Sequence, residues 1–188
     1  MYSASDLRKG LKIEIDGDPY IVTAFEFSKP GKGQALYRCK LKNLLTGATM
    51  DKTFRSVDKI DKPDLREHEM IFSHRENDVF VFMDAETYEQ VVIPKEVLGE
   101  KGDLLKEDSE CEVLFFEDKP IEISMPVFVE FTIVKTEPGV RGDTATNVTK
   151  PAEIETGYEV QVPIFLNEGD VIKIDTRTGE YVERVRKA

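Results

Sequence analysis

A chain of 188 residues with 40% hydrophobic content is long enough for packed cores, either one large domain or two to three small ones. No apolar run approaches the ~20 residues that cross a bilayer as a helix, and Met1-Tyr2-Ser3-Ala4-Ser5-Asp6 carries neither region of a signal peptide, so the expected location is cytoplasmic, with no membrane partner. Cys39 and Cys111 are too few and too far apart for a disulfide framework or a zinc site and read as reduced, buried or half-buried thiols.

The net charge of −11 taken alone argues against a nucleic-acid binder, but it is unevenly spread. Residues 1–63 carry 12 Lys/Arg against 8 Asp/Glu (+4), residues 64–127 carry 6 against 18 (−12), and residues 128–188 carry 8 against 11 (−3). Only the first third is basic. It opens on strand-type alternation at Lys12-Ile13-Glu14-Ile15 and Tyr20-Ile21-Val22, followed by Phe25-Glu26-Phe27. Then comes the octet Ser28-Lys29-Pro30-Gly31-Lys32-Gly33-Gln34-Ala35, and alternation resumes at Leu36-Tyr37-Arg38-Cys39-Lys40-Leu41-Lys42. Two strands flanking a Pro/Gly turn predict a β-hairpin. Pro30 fixes its own φ and lacks an N–H, Gly31 and Gly33 permit positive φ, and Lys32 becomes the outermost side chain, far in sequence from Glu26 and Asp51. A glycine-flanked lysine also fits an ordinary solvated turn, so the octet alone leaves both readings open. Because side chains alternate across a strand, Arg38, Lys40 and Lys42 share one face and Tyr37, Cys39 and Leu41 the other. The cationic ridge suits a solvated outer face and a phosphate-contacting stripe equally.

Two polar, proline-bearing joints, Asp61-Lys62-Pro63-Asp64 and Ser124-Met125-Pro126, separate strand-rich stretches. Strand patterning continues at Val79-Phe80-Val81-Phe82, Glu112-Val113-Leu114-Phe115, Phe128 to Val134, Glu159-Val160-Gln161-Val162 and Val171-Ile172-Lys173-Ile174. Helix is minor: Pro94-Lys95-Glu96-Val97-Leu98-Gly99 has proline at its start and glycine just past its end. An internal echo links Leu7-Arg8-Lys9-Gly10, Ile15-Asp16 and Tyr20 with Leu166-Asn167-Glu168-Gly169, Ile174-Asp175 and Tyr181, each read as turn, strand, acidic hairpin tip and return strand. Many short strands with frequent turns predict an all-β chain of small SH3-like or OB-type barrels.

Catalytic chemistry finds little support. His68 and His74, placed in a strand and a loop, lack the spacing of a metal site, and Gly31-Lys32-Gly33 lacks the GxxxxGK[ST] spacing of a nucleotide loop. Asp84, Glu86, Glu89, Glu110 and Glu112 read as a solvated acidic face rather than an acid/base pair. Asn147-Val148-Thr149 matches a glycosylation sequon by chance. The expectation is no catalytic residue, no metal and no cofactor.

The stretch Lys29 to Ala35, preceded by Gly10-Leu11-Lys12-Ile13 and Gly17-Asp18-Pro19-Tyr20, resembles the first domain of the bacterial translation elongation factor P family. Independently, the run from Lys150-Pro151-Ala152-Glu153 through Thr156-Gly157-Tyr158 to Pro163-Ile164-Phe165-Leu166-Asn167-Glu168-Gly169 resembles that family's carboxy-terminal signature. The resemblance spans the chain, strongly at both ends and weakly in the acidic middle. It implies three small β-barrel domains in a row with an elongated, tRNA-like shape: an SH3-like (KOW-like) domain at 1–63, then OB folds at 64–127 and 128–188.

It further implies a non-enzymatic, monomeric factor that binds the ribosome between the peptidyl-tRNA and exit sites and relieves stalling at consecutive prolines. Lys32 matches the family's post-translationally modified lysine, which makes a lysine-modifying enzyme a partner beside the ribosome and peptidyl-tRNA. A lysine rather than an arginine at the tip resembles the branch carrying β-lysyl-type additions. Lys29, Pro30, Gly31, Gly33 and Gln34 match the hairpin loop at the tRNA acceptor end, with Arg38, Lys40 and Lys42 as the RNA-facing ridge. In the last domain Gly142, Asp143 and Thr144 match a loop that approaches the exit-site codon, and Tyr181 and Arg184 match positions near the tRNA backbone. The competing reading is a stand-alone OB-type RNA-binding or adaptor protein whose lysine is a phosphate contact and whose acidic middle docks a basic partner.

Overall fold

A computed structural model describes residues 1–139 and 148–188. The basic third holds β1 (Tyr2–Ser3), β2 (Lys12–Ile15), β3 (Asp18–Ser28), β4 (Leu36–Asn43), β5 (Thr49–Arg55) and β6 (Lys59–Ile60). The acidic third holds β7 (Leu65–Glu76), β8 (Val79–Asp84), β9 (Gln90–Pro94), the single-turn helix α1 (Lys95–Leu98), a 3-10 turn at Gly99–Leu104, β10 (Glu110–Phe116) and β11 (Lys119–Ser124). The rest holds β12 (Phe128–Thr136), β13 (Thr149–Ile154), β14 (Glu159–Pro163), β15 (Val171–Asp175) and β16 (Glu180–Arg186). The fold is all-β, as the alternation predicts. His74 lies inside β7 with His68, not in a loop, because the strand runs on past Phe72 through a bulge.

Strand pairing gives the sheet orders β2-β3-β4-β5, β11-β10-β7-β8-β9 and β14-β13-β12-β15-β16, with β1-β6 as a small addition. By compactness the chain divides into Met1–Glu67 with Leu114–Glu122, and His68–Val113 with Ile123–Ala188. In the first unit, Ile13, Val22, Cys39, Leu41 and Phe54 point from β2 to β5 into one core, closed by Ala4, Leu7, Leu11 and Ile60. In the second, Phe72 lies 5.8 Å from Phe80 and 5.3 Å from Phe82, ring centre to ring centre. A separate cluster gathers Phe131, Ile133, Ile154, Val162, Ile172 and Ile174. Leu104, from the 3-10 turn, is buried in that second cluster. Thr156 Oγ1 donates to the Asp103 carbonyl at 2.5 Å beside it, and Lys106 Nζ to the Glu130 carbonyl at 2.9 Å. Truncating a buried leucine costs about 2–5 kcal/mol, so this plug is a principal tie within the unit.

One device recurs three times. The Gly10 N–H donates to the Val22 carbonyl at 2.7 Å, the Val22 N–H to Leu11 at 2.9 Å and the Leu11 N–H to Arg8 at 3.2 Å. Asp108, Phe72, Ser109 and Lys106 repeat the pattern at 2.8, 2.9 and 3.2 Å, and Gly169, Ile133, Asp170 and Asn167 repeat it with the same three distances. The turn residue has φ of +89, +66 and +87 respectively, and each long strand bulges immediately after its anchored residue, between Val22 and Ala24, Phe72 and His74, and Ile133 and Lys135. The echo between the Gly10 and Gly169 turns is therefore structural. Its hairpins differ: Asp16-Gly17 is a two-residue connection with φ of +51 and +86, whereas Asp175 to Glu180 is longer.

A second repeat places Asn43, Asp84 and Asp175 at the start of three alike hairpins. Their side-chain oxygens accept the N–H two residues on, at 2.8, 2.8 and 2.9 Å, and Gly47, Tyr88 and Gly179 donate back to their carbonyls at 2.8, 2.9 and 2.7 Å. All three returning residues have positive φ, +77, +62 and +75. Tyr88 alone keeps a side chain there, and the ring is 71% exposed. Left-handed backbone costs a non-glycine residue about 1 kcal/mol. Tyr88→Gly is expected to raise stability by up to about 1 kcal/mol, and Gly47→Ala, whose Cβ would meet nothing within 4 Å, to lower it by about the same through backbone strain alone. Urea unfolding midpoints measure both, and midpoint shifts of one sign would contradict the equivalence of the two hairpins.

Candidate nucleic-acid interface

β3 and β4 pair as far as Ser28 opposite Leu36, leaving seven residues, 29–35, to cross the tip. Within them the Gly33 N–H donates to the Pro30 carbonyl at 2.7 Å, a tight turn with Gly31 and Lys32 at its centre and Gly31 at φ +36. A Cβ on Gly33 would stand 3.1 Å from the Pro30 carbonyl oxygen. Close approach thus favours glycine at 33 and positive φ favours it at 31, and Lys32 rides between them exposed. Lys29, Pro30, Gly31, Gly33 and Gln34 are exposed as well. Neither Lys29 nor Lys32 forms an ion pair with any described residue.

Arg38, Lys40 and Lys42 are exposed on one face of β4, while Cys39 and Leu41 are buried and Tyr37 is half-buried on the other. None of the three cations is ion-paired among the described residues. Register adds what the linear pattern of β4 does not carry: Glu26 of β3 lies opposite Arg38, and Asp51 of β5 opposite Lys40. The face is therefore cationic with two acidic interruptions. It forms a hollow of about 440 Å³ whose lining includes Ala24, Glu26, Arg38, Lys40, Asp51 and Thr53.

In the last barrel Tyr181 is half-buried against the core, and burial pushes its hydroxyl pKa up. Arg184 stands 3.9 Å from the fully buried Asp170 carboxylate, with its guanidinium 5.2 Å from the centre of the Phe165 ring. Asp170 also accepts the Asn167 N–H at 2.9 Å and the Ala188 N–H at 2.8 Å. Both residues are thus tied into the barrel. Gly142, Asp143 and Thr144, with Asn147 of the sequon, lie outside the described residues. Lys150, the first residue of the carboxy-terminal signature, is buried and donates to the carbonyls of Glu137 and, at 2.6 Å, Leu166. Its signal was present: Lys150, Ala152 and Ile154 occupy the inward positions of β13.

The acidic candidates separate by role. Asp84 is a turn former, its pKa lowered by the backbone N–H groups of Thr87 and Glu86, whereas Glu86, Glu89, Glu110 and Glu112 are exposed. His68 Nδ1 lies 3.6 Å from Asp84, and His74 pairs with Glu76 at 2.8 Å. Among the described residues no cluster of His, Cys, Asp or Glu has a metal-binding arrangement.

Small β domains, one of them carrying a displayed lysine on a cationic hairpin, define an all-β protein built for contact with a polyanion, and comparison with known proteins gives its class. Residues 3–60 match the Elongation factor P (EF-P) KOW-like domain, residues 65–123 the Elongation factor P (EF-P) OB domain, and residues 129–184 the Elongation factor P, C-terminal domain. The chain is 54% identical over 187 residues to an elongation factor P of Desulforapulum autotrophicum and 53% identical over 187 residues to that of Desulfosudis oleivorans, covering 100% of both chains in each case. In fold it is similar to eukaryotic translation initiation factor 5A from Methanococcus jannaschii, with a TM-score of 0.57 and 22% identity over 66% of this chain and 91% of that one. The chain belongs to the elongation factor P family, a family of translation elongation factors.

Both thiols are buried, and burial alone pushes Cys39 up and Cys111 up to about 11. Thiolate is the reactive form, so at pH 8 iodoacetamide is expected to leave the native protein at its starting mass and to add two groups once the chain is unfolded. Rapid native alkylation at Cys111 would contradict the packing.

Proposed function

We propose that this protein binds the ribosome between the peptidyl-tRNA and exit sites and accelerates peptide bond formation at consecutive prolines, working in the cytoplasm as a monomer and not as an enzyme. Its three domains are 1–63, 64–127 and 128–188. The observation that carries the reading is Lys32: an unpaired, exposed primary amine between two glycines of a tight turn, at the end of a two-stranded arm. Lys32 is the site of a post-translational addition made by a separate enzyme, and Lys29, Pro30, Gly31, Gly33 and Gln34 shape the loop that lies at the acceptor end of the tRNA. Arg38, Lys40 and Lys42 face RNA phosphates. Gly142, Asp143, Thr144, Tyr181 and Arg184 belong to the RNA-facing side of the last domain, with Arg184 shared between RNA and Asp170.

Proline is a constrained, slow nucleophile in peptide transfer. Holding the tRNA end and the nascent chain in reactive geometry lowers the entropic part of the barrier without any protein acid or base. The arm must be thin and cationic to enter an RNA-lined cleft.

Two measurements test this. Lys32→Ala is expected to leave stability within about 0.5 kcal/mol, as surface changes do, yet to abolish rescue of a reporter with three consecutive prolines in reconstituted translation. Lys32→Arg keeps the charge and removes the primary amine, so it too is expected to fail, whereas a lysine that only contacts phosphate would survive the change. Separately, replacing Arg38, Lys40 and Lys42 by Glu is expected to weaken binding to ribosomes carrying peptidyl-tRNA and to flatten its salt dependence, while Lys101→Glu with Lys119→Glu, both at exposed positions, does much less. Equal effects from the two sets would remove the ridge from the RNA-facing surface.

A further inference from the structure

The other face of the same arm carries an aromatic shelf. Register places Phe27, Tyr37 and Phe54 in one row across β3, β4 and β5, and Phe25, Cys39 and Lys52 in the next. Phe54 and Cys39 are buried, but Phe27 is 52% and Phe25 37% exposed. Both pack on Tyr37, with ring centres 5.1 Å and 6.1 Å apart. β2 pairs only with Asp18 to Ile21, so the stretch of β3 that bears these rings has no described strand on its outer side.

Two partly exposed phenylalanines beside the Lys32 turn form an apolar patch with a polar rim, the usual mark of an interaction surface. Charge selects the partner. Glu26 and Asp51, the acids in the register of the arm, occupy the opposite face, whereas this face holds Lys52, whose Nζ lies 5.5 Å from the centre of the Phe54 ring and whose charge is shared with Asp58. Aromatic rings beside a lysine, with Glu26 and Asp51 turned to the other face, fit a polyanion that presents flat faces, an unpaired stretch of RNA. We propose that Phe27, supported by Tyr37 and Phe25, is a stacking platform for an unpaired RNA nucleobase, so that the arm grips phosphates with its ridge and a base with its underside. This rests on the reading of the hairpin as RNA-facing and adds a second, sequence-tolerant contact to it.

The chain contains no tryptophan, so Phe27→Trp supplies its single indole, whose emission is read as the difference from wild-type protein on the same ribosomes. With the full chain and ribosomes carrying peptidyl-tRNA, Phe27→Leu is expected to weaken binding roughly tenfold, within the span of one stacked base, and to leave the salt slope at its wild-type value. Phe27→Trp is expected to bind as wild type and to lose indole emission on binding, through stacking. Thermal unfolding of both variants checks that the arm is folded. Phe27→Leu binding as tightly as wild type would overturn the proposal, and so would an indole emission that shifts to the blue without quenching, the signature of a protein surface covering the ring. The Arg38, Lys40 and Lys42 reversals separate the two levels: if they weaken binding and Phe27→Leu does not, the stacking platform alone is wrong, and if neither matters the hairpin does not face RNA.

Discussion

Each barrel depends on the same small lock. A turn residue in left-handed conformation donates its N–H to one residue of a long strand, that residue's own N–H donates to the carbonyl of the residue after the turn residue, and the strand bulges immediately afterwards. The extra residue of a bulge bends a strand and raises its twist, which is what lets a short sheet curl far enough to close on its own core. In the first barrel the bend falls at Thr23, whose Oγ1 donates to the Lys40 carbonyl at 3.2 Å, and everything beyond it becomes the arm. The hairpin that displays Lys32 is thus the outer half of a strand whose inner half, through Tyr20 and Val22, packs in the core. Core and arm share one backbone, and the lock fixes where one ends and the other begins.

The period-2 alternation made the strands legible, and the Pro/Gly octet made the arm legible, because both signals are local. The face of Arg38, Lys40 and Lys42 followed from alternation alone. What alternation along one strand does not carry is the neighbour across the ladder: Glu26 and Asp51 enter the basic face by register, which pairing decides. The threefold lock was half visible. Gly10 and Gly169 stand out as glycines, but the middle copy uses Asp108, a residue that tolerates the left-handed region and hides the repeat. In the same way the hairpin starters read as Asn43, Asp84 and Asp175, two residue types for one job, and Tyr88 masks the glycine position of the middle copy.

Candidate site residues divide by what already holds them. Lys29, Lys32, Arg38, Lys40 and Lys42 form no ion pair among the described residues, and only Arg38 and Lys40 face a carboxylate across the ladder, so most of their charge is available to something outside the chain. Arg184 is engaged by Asp170 and by the ring of Phe165. Lys150 is spent on two carbonyls inside the barrel. No count of lysines and arginines separates these three situations, since the difference is one of depth and of neighbours.

Leu104 leaves a mark of a different kind. Carried by the turn after α1, its side chain sits among Phe131, Ile133 and Ile154, residues contributed by strands some thirty to fifty positions later. A plug and its socket must match in volume: a larger or smaller side chain at Leu104 keeps the packing only if β12 or β13 changes with it, so exchanging either stretch alone for a relative's puts together surfaces that do not fit. At Leu104 the two stretches are, in that sense, one piece of machinery.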